Sequence, residues 1–222
     1  MKFFMRTAFL FIVLVNYLAA EDSNNLPKIY MDTYPEVNLE AKIKILEDAA
    51  EADLENAGPL YILAIKEVLA NSLTLNSQPQ YRTIAVLAVK QIAETGYTGQ
   101  KRLLWDLYRH DSQSITRVVV LEAFGRIAEG DSYIIKNLNE LLKNTNTLVR
   151  SGLKTDLIVV FSLIQTIGLI GDDSSFPILF EARSLQGYPI RLRDLAEKSL
   201  LSIGGDLEAN LLGIIRNRYA FG

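Results

Sequence analysis

The sequence predicts an all-α chain built as an α-α superhelix of about five stacked helix pairs. Three observations carry this. A short phrase recurs four times in the second half: QIAETG from Gln91, RIAEGD from Arg126, GLIGDD from Gly168 and LSIGGD from Leu201. Its isoleucines Ile92, Ile127, Ile170 and Ile203 are spaced by roughly 35, 43 and 33 residues, the interval of stacked helical repeats. Each phrase closes an apolar segment of helical period, and no segment competes as a strand. Such a chain makes surfaces rather than a deep catalytic pocket.

The first element in order is residues 1–20. Lys2 and Arg6 precede an apolar run from Ala8 to Val15, and Tyr17-Leu18-Ala19-Ala20 then meets the acidic Glu21-Asp22. This is the layout of a secretory signal peptide cut after Ala20. The apolar stretch is too short to span a bilayer, so no stable membrane insertion is expected after cleavage. The address is then a periplasm or the cell exterior. The chain has no cysteine, hence no disulfide framework, lipid-anchoring Cys or thiol nucleophile. Loss of Lys2 and Arg6 takes the net charge from −3 to about −5, a balance that argues against nucleic acid.

Residues 21–35 are polar, contain Pro27 and Pro35 and show no period, and read as a tail or linker. The helical domain spans 36–222. Its first helix covers 36–52 through Val37, Leu39, Ile43, Ile45 and Leu46. Gly58-Pro59 breaks the chain, and a second helix runs to about Leu73. The helices ending on the phrase cover roughly 80–94, 114–128, 155–170 and 190–203. Their followers cover 99–109, 132–143, 174–184 and 207–218. Gly96, Gly130, Gly171 and Gly204 suit left-handed C-caps. Asp131, Asp173 and Asp206 suit the N-caps that follow. The segment 157–170 is apolar almost all round, as expected of a helix buried on both sides by its neighbours.

These segments resemble HEAT-like repeats, in particular the short variety of phycobilisome-lyase-type proteins. The usual pattern is a Val-Arg pair, then small and apolar residues, then Leu-Gly-x-Ile-Gly-Asp. The basic position falls ten residues before the anchor isoleucine as Arg82, Arg117 and Arg193. The third repeat has Val160 there. Its Val149-Arg150 pair lies ten residues earlier and is followed by Ser151-Gly152, an insertion that lengthens the connection or the helix itself. The resemblance covers about 81–217, and more weakly the first pair. It implies an armadillo-like helical solenoid whose concave side is lined by the helices ending on the phrase. It also implies a non-catalytic scaffold or adaptor binding a protein partner in the bacterial envelope. No lyase residue is matched. The alternatives are an enzyme or enzyme subunit, and a structural part of an envelope or motility assembly.

The candidate partner-facing residues follow from register. Glu122, Gln165 and Lys198 stand five residues before the anchor, and Gln91, Arg126 and Ser202 one before it. A plain solvated helix face is the competing reading. Arg82, Arg117 and Arg193 are read first as a structural ladder, with Asp111 as an acceptor. Trp105 and Tyr108 share one helix face, and with Tyr61 and Tyr97 they suit core packing or a binding patch. The sole histidine, His110, sits at a helix end beside Asp111, where it meets the last carbonyls. Asp172-Asp173 lacks the alternating ligands of a calcium loop, so no metal and no cofactor is expected. The last repeat spreads Leu211, Leu212, Ile214 and Ile215 over more than one face. That leaves its end to be covered by the Tyr219–Phe221 tail or by a second copy in a homo-oligomer.

Overall fold

Helix ends in this chain are set by side chains that satisfy free backbone groups. In the computed structural model the described residues are 26–52, 57–75, 77–203 and 212–213, and among them every regular element is helical. The α-helices are α1 (Leu26–Thr33), α2 (Leu39–Glu51), α3 (Gly58–Ala70), α4 (Pro79–Glu94) and α5 (Lys101–His110). They continue as α6 (Ser114–Ile127), α7 (Ser132–Arg150), α8 (Leu157–Ile170), α9 (Phe176–Ser184) and α10 (Ile190–Ile203). The predicted segment 207–218, with Gly204 and Asp206, lies outside the described residues apart from Leu212 and Gly213.

The recurring phrase is the punctuation it reads as. Gly96, Gly130 and Gly171 all take positive φ, near +66° to +71°, a conformation that clashes with a side chain. Asp131 then accepts the Ile134 N–H at 3.2 Å and starts α7. After Gly171 the cap is Asp172 rather than the expected Asp173. Asp172 accepts the Ser174 N–H at 2.9 Å, and Asp173 opens a 3-10 turn leading into α9. Asp156 caps α8 through the Ile158 and Val159 N–H groups and also accepts the Ser114 hydroxyl at the start of α6.

Two caps carry a pH consequence. The Asp156 carboxyl is held below the usual carboxylate range by the Ser114 hydroxyl, against a smaller opposing effect of burial. For Asp131 burial pulls upward, but Lys101 at 2.8 Å and the Ile134 N–H outweigh it, so the net shift is also downward. Depressed folded-state values mean that the caps stabilise fully above the unfolded carboxylate value of about 3.9. The contribution is lost as pH falls through the lower folded values. Asp156 is exposed and Asp131 half-buried, so the effect is modest and partly screened by salt. The urea midpoint is expected to stay flat from about pH 7 to pH 5 and to fall below about pH 4, with Asp156→Asn reducing that fall.

The helices form two rows. α2, α4, α6, α8 and α10 each pack on the next of that series, and α3, α5, α7 and α9 do the same in a second row. Between them lies one continuous core that includes Ile84, Ile92, Leu104, Leu107, Phe124, Ile134 and Leu179. Burying each such side chain contributes roughly 1.5–3 kcal/mol before ordering costs. Within the first row, hydroxyls stitch helix to helix. Ser162 donates to the Val118 carbonyl at 3.4 Å and Thr166 to that of Leu121 at 2.8 Å. Ser199 donates to Ile164 at 3.2 Å and Ser202 to Gly168 at 3.1 Å. Thr166→Val is expected to cost about 1 kcal/mol, seen as a lower urea midpoint at unchanged slope.

Three regions differ from the sequence reading. Residues 26–35, read as a tail, contain α1 and part of a 3-10 turn (Tyr34–Glu36), and Tyr30 and Tyr34 are buried. Lys42 lies 5.2 Å from the Tyr34 ring centre and pairs with Glu67 at 2.7 Å, so these tyrosines close the first pair. Burial, and then the Glu67 carboxylate, push the Tyr34 phenol far up, which keeps it neutral. The insertion in the third repeat lengthens the helix: α7 runs to Arg150 and ends at Gly152 with φ +73°. Its extra turns hold the α9–α10 connection. Buried Asn146 accepts the Tyr188 hydroxyl at 2.9 Å and donates to the Ile178 carbonyl at 3.2 Å. The third region is α8, whose flanks are buried but whose outward face is open.

Candidate partner-binding surface

The hydroxyl bonds between neighbouring helices of the first row fix which residues stand side by side. Thr166 on Leu121 brings Gln165 into register with Glu122, and Ser199 on Ile164 brings Lys198 beside the same position. Glu122, Arg126, Gln165 and Lys198 are all exposed. Among the described residues none of Glu122, Arg126 and Lys198 enters an ion pair. They lie on α6, α8 and α10, the helices that end on the recurring phrase. Gln91 differs, being half-buried and donating to Glu94 at 2.8 Å. Ser202 spends its hydroxyl on the Gly168 and Ser199 carbonyls.

The residues that dominate this face are apolar, and the sequence reading passed over them. Ile158 is 67% exposed, Phe161 44% and Leu169 63%, all on α8 around Gln165. Ile115 at the start of α6 and Leu201 near the end of α10 are exposed as well. The signal was available: 158, 161, 165 and 169 follow helical spacing, and Gln165 marks the outward stripe. The apolar character of the whole segment hid it.

The aromatic candidates are core residues. Trp105 and Tyr108 are buried and stack at 5.1 Å with nearly parallel rings, and Trp105 also meets Phe124 at 6.2 Å. Neither ring is open to a partner. Tyr61 is buried too. Tyr97 fills the space beside Gly58 and Gly99, where a β-carbon on either glycine would lie 2.5 Å from the ring or its hydroxyl.

The arginine ladder is structural at two rungs. Buried Asp111 accepts the Arg82 Nε at 3.4 Å, the Thr116 hydroxyl at 2.6 Å and the Gln113 N–H at 2.9 Å. Arg117 reaches the Asp111 backbone carbonyl at 3.0 Å instead of its carboxylate, and lies over the Tyr108 ring. Arg82 on α4 and Arg117 on α6 thus converge on one residue of the α5–α6 turn. Arg193 breaks the pattern: its Nε is buried with no hydrogen-bond partner among the described residues.

Other polar features are local. His110 Nδ1 lies 2.8 Å from the Asp106 carbonyl at the exposed end of α5. Among the described residues no three His, Asp or Glu side chains gather as metal ligands, and no helix is long and apolar enough to cross a membrane. A groove of about 570 Å³ lies between α7 and α9 on the second row, edged by Lys136, Lys143, Glu140, Asp172 and Glu181. Charges of both signs surround it, which defines no single ligand chemistry. Comparison with protein-family models, curated proteins and solved structures finds no match to this chain.

Proposed function

We propose that this chain is an exported HEAT-like α-solenoid that acts as a non-catalytic scaffold or adaptor in a bacterial periplasm. It holds a protein partner against its curved helical surface. The observation that carries the reading is the outward face of α8, where Ile158, Phe161 and Leu169 stand open to water around Gln165. An apolar patch with a charged rim is the pattern of a protein-binding surface. Glu122, Arg126 and Lys198 supply that rim. The row packing supports the solenoid reading, since each pair buries its neighbour's apolar side, as stacked repeats require. The address rests on Lys2, Arg6 and the apolar run ending at Ala20. Sequencing of the mature protein is expected to start at Glu21.

The test is affinity isolation of the tagged protein from its native envelope fraction under mild cross-linking, with mass spectrometry. It is run beside the double variant Phe161→Ser, Leu169→Ser. Retention of a protein partner is expected to drop about tenfold in the variant, while the thermal midpoint moves by only a few degrees. Equal retention by both proteins removes the α8 face from the reading. A tight small-molecule thermal shift that depends on His110 would favour an enzyme instead.

A further inference from the structure

From α4 onward the helices of the first row run the same way. Arg82 at the start of α4 meets Asp111 just before α6, and Ser114 at the start of α6 meets Asp156 just before α8. Ser199 and Ser202 on α10 meet Ile164 and Gly168 on α8 in ascending order. The turns that lead into α4, α6, α8 and α10 therefore share one edge of the molecule. Each leaves a large aliphatic side chain in water: Leu73, Ile115, Leu153 with Ile158, and Ile190. Leu73 is 99% exposed, and the fold itself gains nothing from an apolar side chain there. Arg109, Lys154 and Arg191 are exposed on the same edge and enter no ion pair among the described residues. The exposed acid among these turns, Asp156, is held in the α8 cap. The turn before α2 exposes Glu36 and Glu40 instead, so the aliphatic edge begins at Leu73. The opposite edge has the reverse charge, with Glu94, Glu129 and Asp173 exposed. Apart from Leu169 and Leu201 of the candidate surface, its exposed large apolar side chain among the described residues is Tyr133, which lies against the Arg102 guanidinium.

We propose that this edge rests on an anionic phospholipid surface. Leu73, Ile115, Leu153, Ile158 and Ile190 enter the headgroup layer, and Arg109, Lys154 and Arg191 pair with lipid phosphates. Aliphatic tips spread over four turns, with Ser112, Gln113, Gly152 and Gln186 between them, suit a plane that takes each tip separately. A protein site instead gathers its apolar residues into one packed core. Binding to a lipid surface grows with the apolar area inserted and with the attraction of basic groups to anionic headgroups. Long basic side chains serve both, because their stems lie along apolar surface while their charged heads reach the phosphates. The chain as a whole carries a net charge of −3, so an anionic surface repels its acidic edge and turns the basic one inward. None of this depends on whether the α8 face binds a partner.

The protein purified from its own cells tests this by co-sedimentation with vesicles. It is expected to sediment with vesicles of equal parts phosphatidylglycerol and phosphatidylcholine, and to bind phosphatidylcholine alone about tenfold more weakly. Leu73→Ser with Leu153→Ser should weaken binding about tenfold, and Lys154→Glu with Arg191→Glu at least as much. All four side chains are exposed, so the thermal midpoint should hold. Phe161→Ser with Leu169→Ser should bind vesicles as the native chain does, which separates this edge from the partner-binding face. The chain has no cysteine, so Leu153→Cys carries a single environment-sensitive dye. Its emission should shift to the blue on the anionic vesicles, and the same dye on Glu129→Cys should not respond. Equal binding to both kinds of vesicle, or binding that survives both edge variants, would overturn the proposal. Sedimentation with neither would overturn it too and leave the basic edge to an acidic protein.

Discussion

Asp111→Ala is expected to lower the unfolding free energy by about 3–5 kcal/mol. The carboxylate is buried and receives three donors: Arg82 from α4, the Thr116 hydroxyl of α6 and the Gln113 N–H. Its removal strands all three. Arg82 keeps only a 3.4 Å contact to the Leu75 carbonyl. Asp111→Asn keeps the shape but turns an amide donor toward groups that are themselves donors, so it should recover less than half of the loss. Urea titration of the three proteins checks this. A cost below about 1 kcal/mol for the alanine variant would show that the Asp111 cluster contributes only as much as an ordinary hydrogen bond.

Gly168→Val is expected to destabilise by about 3 kcal/mol or more, at the upper end for overpacking. A β-carbon at residue 168 would lie 2.5 Å from the Ser199 Oγ, 2.6 Å from its β-carbon and 3.0 Å from its α-carbon. The first contact is a side-chain tip, but the last is backbone. α10 must therefore move off α8, which also lengthens the Ser199 and Ser202 hydroxyl bonds. Gly168→Ala should show a smaller effect, and Ser199→Gly should rescue part of it in a double-mutant cycle. Equal costs for Gly168→Ala in the native and Ser199→Gly backgrounds would place the strain elsewhere.

Much of the architecture was legible because it is written in local chemistry. Glycine with positive φ is a signal confined to one residue, and it located the ends of α4, α6 and α8; after α6 and α8 a capping aspartate follows it. What failed depended on distant partners. Tyr30 and Tyr34 anchor a helix in a stretch without visible period, because their burial comes from α2 and α3 and not from their own neighbours. Val149-Arg150 read as an insertion of undecided form, since only Tyr188 and the α9–α10 turn show why α7 continues to Arg150. On the candidate surface, register placed Glu122, Arg126, Gln165 and Lys198 in the open. Polarity alone overrated Gln91 and Ser202, whose hydrogen bonds are met within the chain. Ile158, Phe161 and Leu169 were missed because apolar side chains are assigned to the interior by default.

The row arrangement also governs how the chain acquires its shape. Every substantial helix contact links elements no more than two apart along the polypeptide. Partners therefore meet after closing only short loops, and such topologies fold quickly for their size. A chain released from one end can condense pair by pair, each new hairpin docking on one already in place, before its far end is free.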